Sequence, residues 1–170
     1  SIAISPEGFS GYATLNINGN DYEIFLENKT TDITIPNLQA GKYNLKLTYV
    51  GDDKYAPATA TGSFSVLKTP SSLTVKVDYD ENTLTGNINV KTNARNCTGE
   101  IEVYINYKKS HHPLNNGEAN CPVAFDKGTN YIYVYYPGDG YWAESDWNTT
   151  IGVADEFAMT SGDVEGYEHN

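Results

Sequence analysis

His111 and His112, in the stretch YKKSHHPLNNGEANC (107–121), are the first side chains to test for chemistry. Imidazole ligates metals and moves protons near neutral pH. Adjacent residues of a strand point to opposite faces, and neither a carboxylate nor a cysteine stands beside the pair at ligand spacing. The stretch reads as a polar, solvated hairpin between strands, holding the chain's densest positive charge. Asp52, Asp53 and Asp139 raise calcium, because they sit in two similar motifs, YVGDDKYAP (49–57) and YPGDGYWAE (136–144). The second motif has Gly140 in the place of Asp53, so the carboxylates are not kept together. DYDEN (78–82) opens like a calcium loop but lacks the glycine and terminal glutamate that such a loop requires. An isopeptide bond formed beside a buried acid would need Lys76 and Glu102 inward. Each lies between apolar neighbours, so alternation sends both outward. No nucleophile–base pair and no metal cluster can be assembled. The sequence reads as a protein without catalysis and without a cofactor.

Other residues point to surface roles. Cys97 and Cys121 are the two cysteines of the 170-residue chain, and both fall in its second half. That placement predicts one disulfide, worth about 3.5 kcal/mol by loop closure, and an extracellular setting. Sequons at Asn28, Asn96 and Asn148 are candidate glycosylation sites: Asn28 and Asn96 fall in predicted turns, and Asn148 alternates outward from Trp147. In NYIYVYYPG (130–138), Ile132, Val134 and Tyr136 take the inward parity, which sets Tyr131, Tyr133 and Tyr135 on the outer face. Tyr104 joins them if the strand over 99–107 lies alongside. Such a shelf can stack on sugar rings or seat another protein, or it can merely stabilise an exposed sheet.

These residues need strands to position them. Fourteen tyrosines, abundant threonine, valine and isoleucine, and a single methionine favour β structure over helix. The net charge of −11 repels phosphate backbones and excludes nucleic acid as a partner. No apolar run is long enough to span a bilayer as a helix. Sliding the chain by 87 positions lays Gly51-Asp52 on Gly138-Asp139 without a gap from Gly41 to Val66. Leu45 then meets Ile132, Leu47 meets Val134, Tyr55 meets Trp142 and Val66 meets Val153, so character is kept at every second position. One further residue of slip lays YATLNIN (12–18) on EIEVYIN (100–106). The chain is therefore predicted to be all-β, a tandem of two similar domains. In each copy an alternating strand ends at a tyrosine and turns through the Gly51-Asp52 or Gly138-Asp139 signature. It then returns as a second strand. The aromatic after the turn, Tyr55 or Trp142, is expected to fold over the open end of the core. In the second copy, strands are expected near 72–78, 84–91, 99–107, 119–125, 129–137 and 146–153.

The segment AGKYNLKLTYVGDDKYAPATATGSFSV (40–66) resembles the closing half of immunoglobulin-like repeats of adhesin-like surface proteins in methanogenic archaea, with relatives in bacterial surface proteins. The shared pattern recurs, looser, from Gly128 to Val153. The resemblance implies immunoglobulin-like β-sandwiches at 1–67 and 68–153, outside the cell or on its surface, as parts of a non-catalytic stalk or adhesin. SIAIS (1–5) matches NINVK (87–91), the second strand of the module, so the first domain is expected to lack its opening strand. The acidic stretch 154–170 is read as a tail or linker. A sharper alternative makes it a donor strand, with Phe157 and Met159 inward, that builds a homopolymeric filament. Expected partners are other domains of the same surface assembly, or a surface glycan read by the tyrosines.

Overall fold

The computed structural model describes residues 1–4, 8–27, 30–97 and 99–154. Among them there is no helix, and thirteen strands form antiparallel sheets. The chain divides into two compact units, Ser1–Thr69 and Pro70–Asn170. Phe157 and Met159 lie outside the described residues, as does the sequon asparagine Asn28.

The second unit is a three-stranded sheet and a four-stranded sheet around one core. Strands β7 (Leu73–Asp80), β8 (Thr85–Thr92) and β11 (Glu118–Ala124) make the smaller sheet in the order β11-β8-β7. Strands β9 (Glu100–Ile105), β10 (Lys108–Pro113), β12 (Gly128–Tyr136) and β13 (Ser145–Val153) make the larger in the order β10-β9-β12-β13. Alternation builds the core, because every second residue of a strand faces the opposite sheet. Ile88 and Val90 of β8, Ile101 and Val103 of β9, and Ile132 and Val134 of β12 are fully buried. Leu73, Val75 and Val77 of β7 pack against them.

Strand β10 departs from expectation. The 107–121 stretch is not a solvated loop throughout: 108–113 pairs residue by residue with β9, His111 opposite Glu102 and His112 opposite Ile101. Its polar composition suits an edge strand, where one flank meets water. Asn106 and Tyr107, both at positive φ (48° and 69°), make the two-residue turn that starts it.

The first unit has the same layout with one sheet reduced. Strands β2 (Ser10–Ile17), β3 (Asn20–Glu27), β5 (Gly41–Tyr49) and β6 (Ala58–Val66) form a sheet in the order β3-β2-β5-β6. Its counterpart is the pair β1 (Ile2–Ala3) and β4 (Thr30–Thr31). Buried side chains there are Phe9, Ala13, Leu15, Ile17 and Leu26, a much smaller set than in the second unit.

Candidate functional site

The turn signature is the clearest repeated geometry. Gly51 and Gly138 take φ of 89° and 76°, the left-handed region where glycine is favoured. A Cβ on Gly51 would meet Pro57 Cδ at 2.8 Å, and one on Gly138 would meet the Trp142 carbonyl at 2.5 Å. Asp52 Oδ1 accepts from the amides of Lys54 (2.8 Å) and Tyr55 (2.6 Å). Asp139 Oδ1 accepts likewise from Tyr141 and Trp142, both at 2.7 Å. The Tyr49 hydroxyl adds a further bond to Asp52. That bond and the two amides hold the Asp52 carboxyl below the usual carboxylate range, while the same bond, and then burial, pushes the Tyr49 phenol up to about 12. These carboxylates are engaged by their own turns. Tyr55 packs edge-on against Phe9, and Trp142 packs against the second core.

A second repeated device is absent from the sequence reading. Asn18 and Asn106 follow β2 and β9 at positive φ (46° and 48°). Asn18 Oδ1 accepts from the Asn44 amide at 2.8 Å, and Asn106 Oδ1 from the Tyr131 amide at 2.8 Å, so each side chain clamps the neighbouring strand. In the second unit the clamp joins Asn130, which is fully buried. Its Oδ1 accepts from Asp126 N and from Asn106 Nδ2, both at 2.9 Å, and its Nδ2 donates to Asp126 O and Gly128 O. Every polar atom of the buried amide is thereby satisfied. The matching NIN (16–18) and YIN (104–106) stretches, and Asn18-Gly19 as a hairpin dipeptide, were the available signals.

The expected Cys97–Cys121 disulfide is not present: both are free, buried thiols. Cys121 sits mid-strand in β11 opposite Ile88, whereas Cys97 lies in the loop beyond the end of β8 at Thr92. They share a core without being bonded to each other. Burial pushes the Cys121 thiol up to about 11, which keeps it protonated and inert. Cys97 lies beside the buried Tyr136 hydroxyl, which has no hydrogen-bond partner of normal geometry. Burial, and then the neighbouring Cys97 and Asp139, drive that phenol far above its usual range.

The outer face of β9, β12 and β13 gathers the aromatic residues. Tyr104 stands directly opposite Tyr133, their ring centroids 5.6 Å apart. Tyr133 and Tyr135 lie 6.4 Å apart with rings only 11° from parallel. Tyr107, which sequence reading left in the polar hairpin, extends the row by stacking on Tyr131 at 5.8 Å. Carboxylates edge this surface: Tyr104 donates to Glu102 and Tyr133 to Asp146, both at 3.1 Å, and Tyr135 donates to Glu144. The Glu144 bond pushes the Tyr135 phenol up to about 12. Lys109 pairs with Glu102 at 2.8 Å and lies over the Tyr104 ring at 5.6 Å. The resulting surface offers apolar ring area interleaved with hydrogen-bonding carboxylates.

The remaining candidates are scattered. Asn148 is exposed on β13 directly opposite Tyr133, so a sugar attached there would emerge onto the tyrosine face. Asn96 is exposed in the loop after β8, at a φ of 62°. His111 pairs with Glu100 at 3.2 Å, while His112 points the other way and bonds Ser110 at 2.8 Å. Lys76 and Glu102 both face outward, the former beside Asp78 at 3.6 Å. No protein-family model, curated protein or solved structure matches the chain.

Proposed function

We propose that this chain is a non-catalytic module of an extracellular, adhesin-like or stalk protein. In this reading its two β units are immunoglobulin-like sandwiches, and the second presents a face to another domain of the same surface assembly. The observation that carries it is the row of Tyr107, Tyr131, Tyr104, Tyr133 and Tyr135 on one sheet. The first unit has Asn44, Lys46 and Thr48 at the places of Tyr131, Tyr133 and Tyr135. A domain that only filled space would gain little from replacing solvent-facing polar residues by aromatic ones. Support for the immunoglobulin-like assignment comes from the three-strand and four-strand sheets with β8 and β9, and β11 and β12, crossing between them.

Immunogold labelling of intact producing cells tests the location, and label at the cell exterior is the expected result. Label confined to the interior would overturn the reading. Tyr133→Ala with Tyr135→Ala tests the face: the double variant should keep its fold and lose retention on isolated envelopes of those cells. Carbohydrate binding is the second reading, favoured by the carboxylates Glu102, Glu144 and Asp146 set among the rings. Retention on insoluble polysaccharides, abolished in the same double variant, would select it.

A further inference from the structure

Rings and carboxylates occur together on the outer face of the second unit. In the strand register Tyr135 stands between Asp146 of β13 and Glu102 of β9, and its hydroxyl donates to Glu144. The first unit has Thr48, Thr59, Thr14 and Pro57 at the places of Tyr135, Asp146, Glu102 and Glu144. Its register is the same, with Thr48 paired to Thr59 and to Thr14. Tyrosines that only stabilised an exposed sheet would gain nothing from three carboxylates gathered round one ring, because like charges on neighbouring strands repel.

The chain's own Lys109 shows how this face holds positive charge. Its ammonium pairs with Glu102 at 2.8 Å and lies 5.6 Å from the centre of the Tyr104 ring. A ring face and a carboxylate thus hold one cation between them. The same combination repeats toward β13, where Tyr133 donates to Asp146 at 3.1 Å and Tyr135 to Glu144. Glu144 and Asp146 are exposed, and among the described residues no lysine or arginine pairs with either. An ionised carboxylate offers about four acceptor sites, so one phenol leaves each with capacity to spare. The net charge of −11 adds a field that favours a basic partner.

We propose that the β13 side of the tyrosine face takes arginine side chains from an extended segment of a partner domain, with guanidinium over the Tyr135 ring and bonded to Glu144 and Asp146. The inference rests on the reading of this face as a contact for another domain, and it names the chemistry of that domain. Arginine fits better than lysine, because its planar fork stacks on an aromatic face while offering donors to two acceptors at once. The Tyr133 and Tyr135 rings lie within 11° of parallel, which suits a planar group. Lys109 fills the opposite side of the face at Glu102, so an incoming cation is directed to the β13 side.

The test is a titration of the full chain with the peptide GSRGRSG, whose arginines share one side when extended, read by amide NMR shifts. A second peptide carries citrulline, an uncharged isostere, in place of each arginine. Saturable shifts centred on residues 133–146 are expected with arginine, fading as sodium chloride rises from about 0.05 to about 0.5 M, and none with citrulline. Glu144→Gln with Asp146→Asn keeps the side-chain shapes and should weaken binding by about fivefold or more. Tyr135→Leu should weaken it by about threefold. Asp53→Asn with Glu81→Gln removes the same charge from exposed positions elsewhere and should change nothing. Absence of binding, equal binding of the citrulline peptide, indifference to the carboxylate pair or to Tyr135→Leu, or an equal loss in the control pair overturns the proposal. Retention on cell envelopes separates it from the function proposed above. Retention lost with Tyr133→Ala and Tyr135→Ala but kept with Glu144→Gln and Asp146→Asn would preserve the contact face and overturn its basic partner. Retention kept in both double variants would overturn both readings.

Discussion

At Asn130 a buried amide has all its hydrogen-bonding capacity met by Asp126, Gly128 and Asn106. Removing it strands the Asp126 amide and the carbonyls of Asp126 and Gly128, and a buried unsatisfied group costs more than a hydrogen bond gains. Asn130→Ala should therefore destabilise the second unit by roughly 2–4 kcal/mol, measured by denaturant unfolding. A loss below about 1 kcal/mol would contradict the network's importance. The cysteines carry the opposite expectation. With both thiols free, reductant should leave the unfolding temperature of the second unit unchanged. A disulfide worth about 3.5 kcal/mol would instead show as a drop of many degrees. Free thiols also remove the argument for an oxidising compartment that the cysteine count had offered. Evenness of number says nothing about whether two thiols are joined, and in the structure both stay free within one core.

At the scale of the element, β10 determines the character of the tyrosine sheet. It brings Lys109 across from Tyr104 and beside Glu102. The bond from Lys109, and then that from Tyr104, hold the Glu102 carboxyl below its usual value. A carboxyl depressed in the folded state contributes stability that is complete above its ordinary value, near 4.3, and disappears as pH falls through the folded value. Lys109→Met should return Glu102 toward the ordinary value and flatten the acid-side loss of stability in thermal melts below about pH 4.3. Superimposable acid limbs for variant and wild type would refute the coupling. The strand itself was hard to read, because KKSHHP has neither apolar alternation nor β-branched residues. Its pairing is specified by the Asn106-Tyr107 turn and by an open flank of β9. Strands β12 and β13 were legible for the converse reason: a buried face leaves a period of two in the sequence.

At the scale of the whole molecule, the units have unequal cores. Among the described residues, fifteen apolar residues are buried in one cluster in the second, against three in the first. Buried apolar area is the main source of stability, so the first unit is expected to be the weaker. Calorimetry of the full chain should show two transitions, with Asn130→Ala lowering only the upper one. A single transition moved as a whole by that variant would show that the units unfold together.

By itself the sequence determined the β class, the two-fold repeat, the inward and outward parity of β12, and the turns at Gly51-Asp52 and Gly138-Asp139. All of these rest on local rules: side chains alternate along a strand, and left-handed turns select glycine with an aspartate that bonds nearby amides. Tertiary structure alone decided that the cysteines stay unbonded and that Asn106 reaches Asn130. It also decided that Tyr107 joins the tyrosine row. Each depends on which strands become neighbours, and contacts between residues far apart in sequence leave no period along the chain from which they could be read.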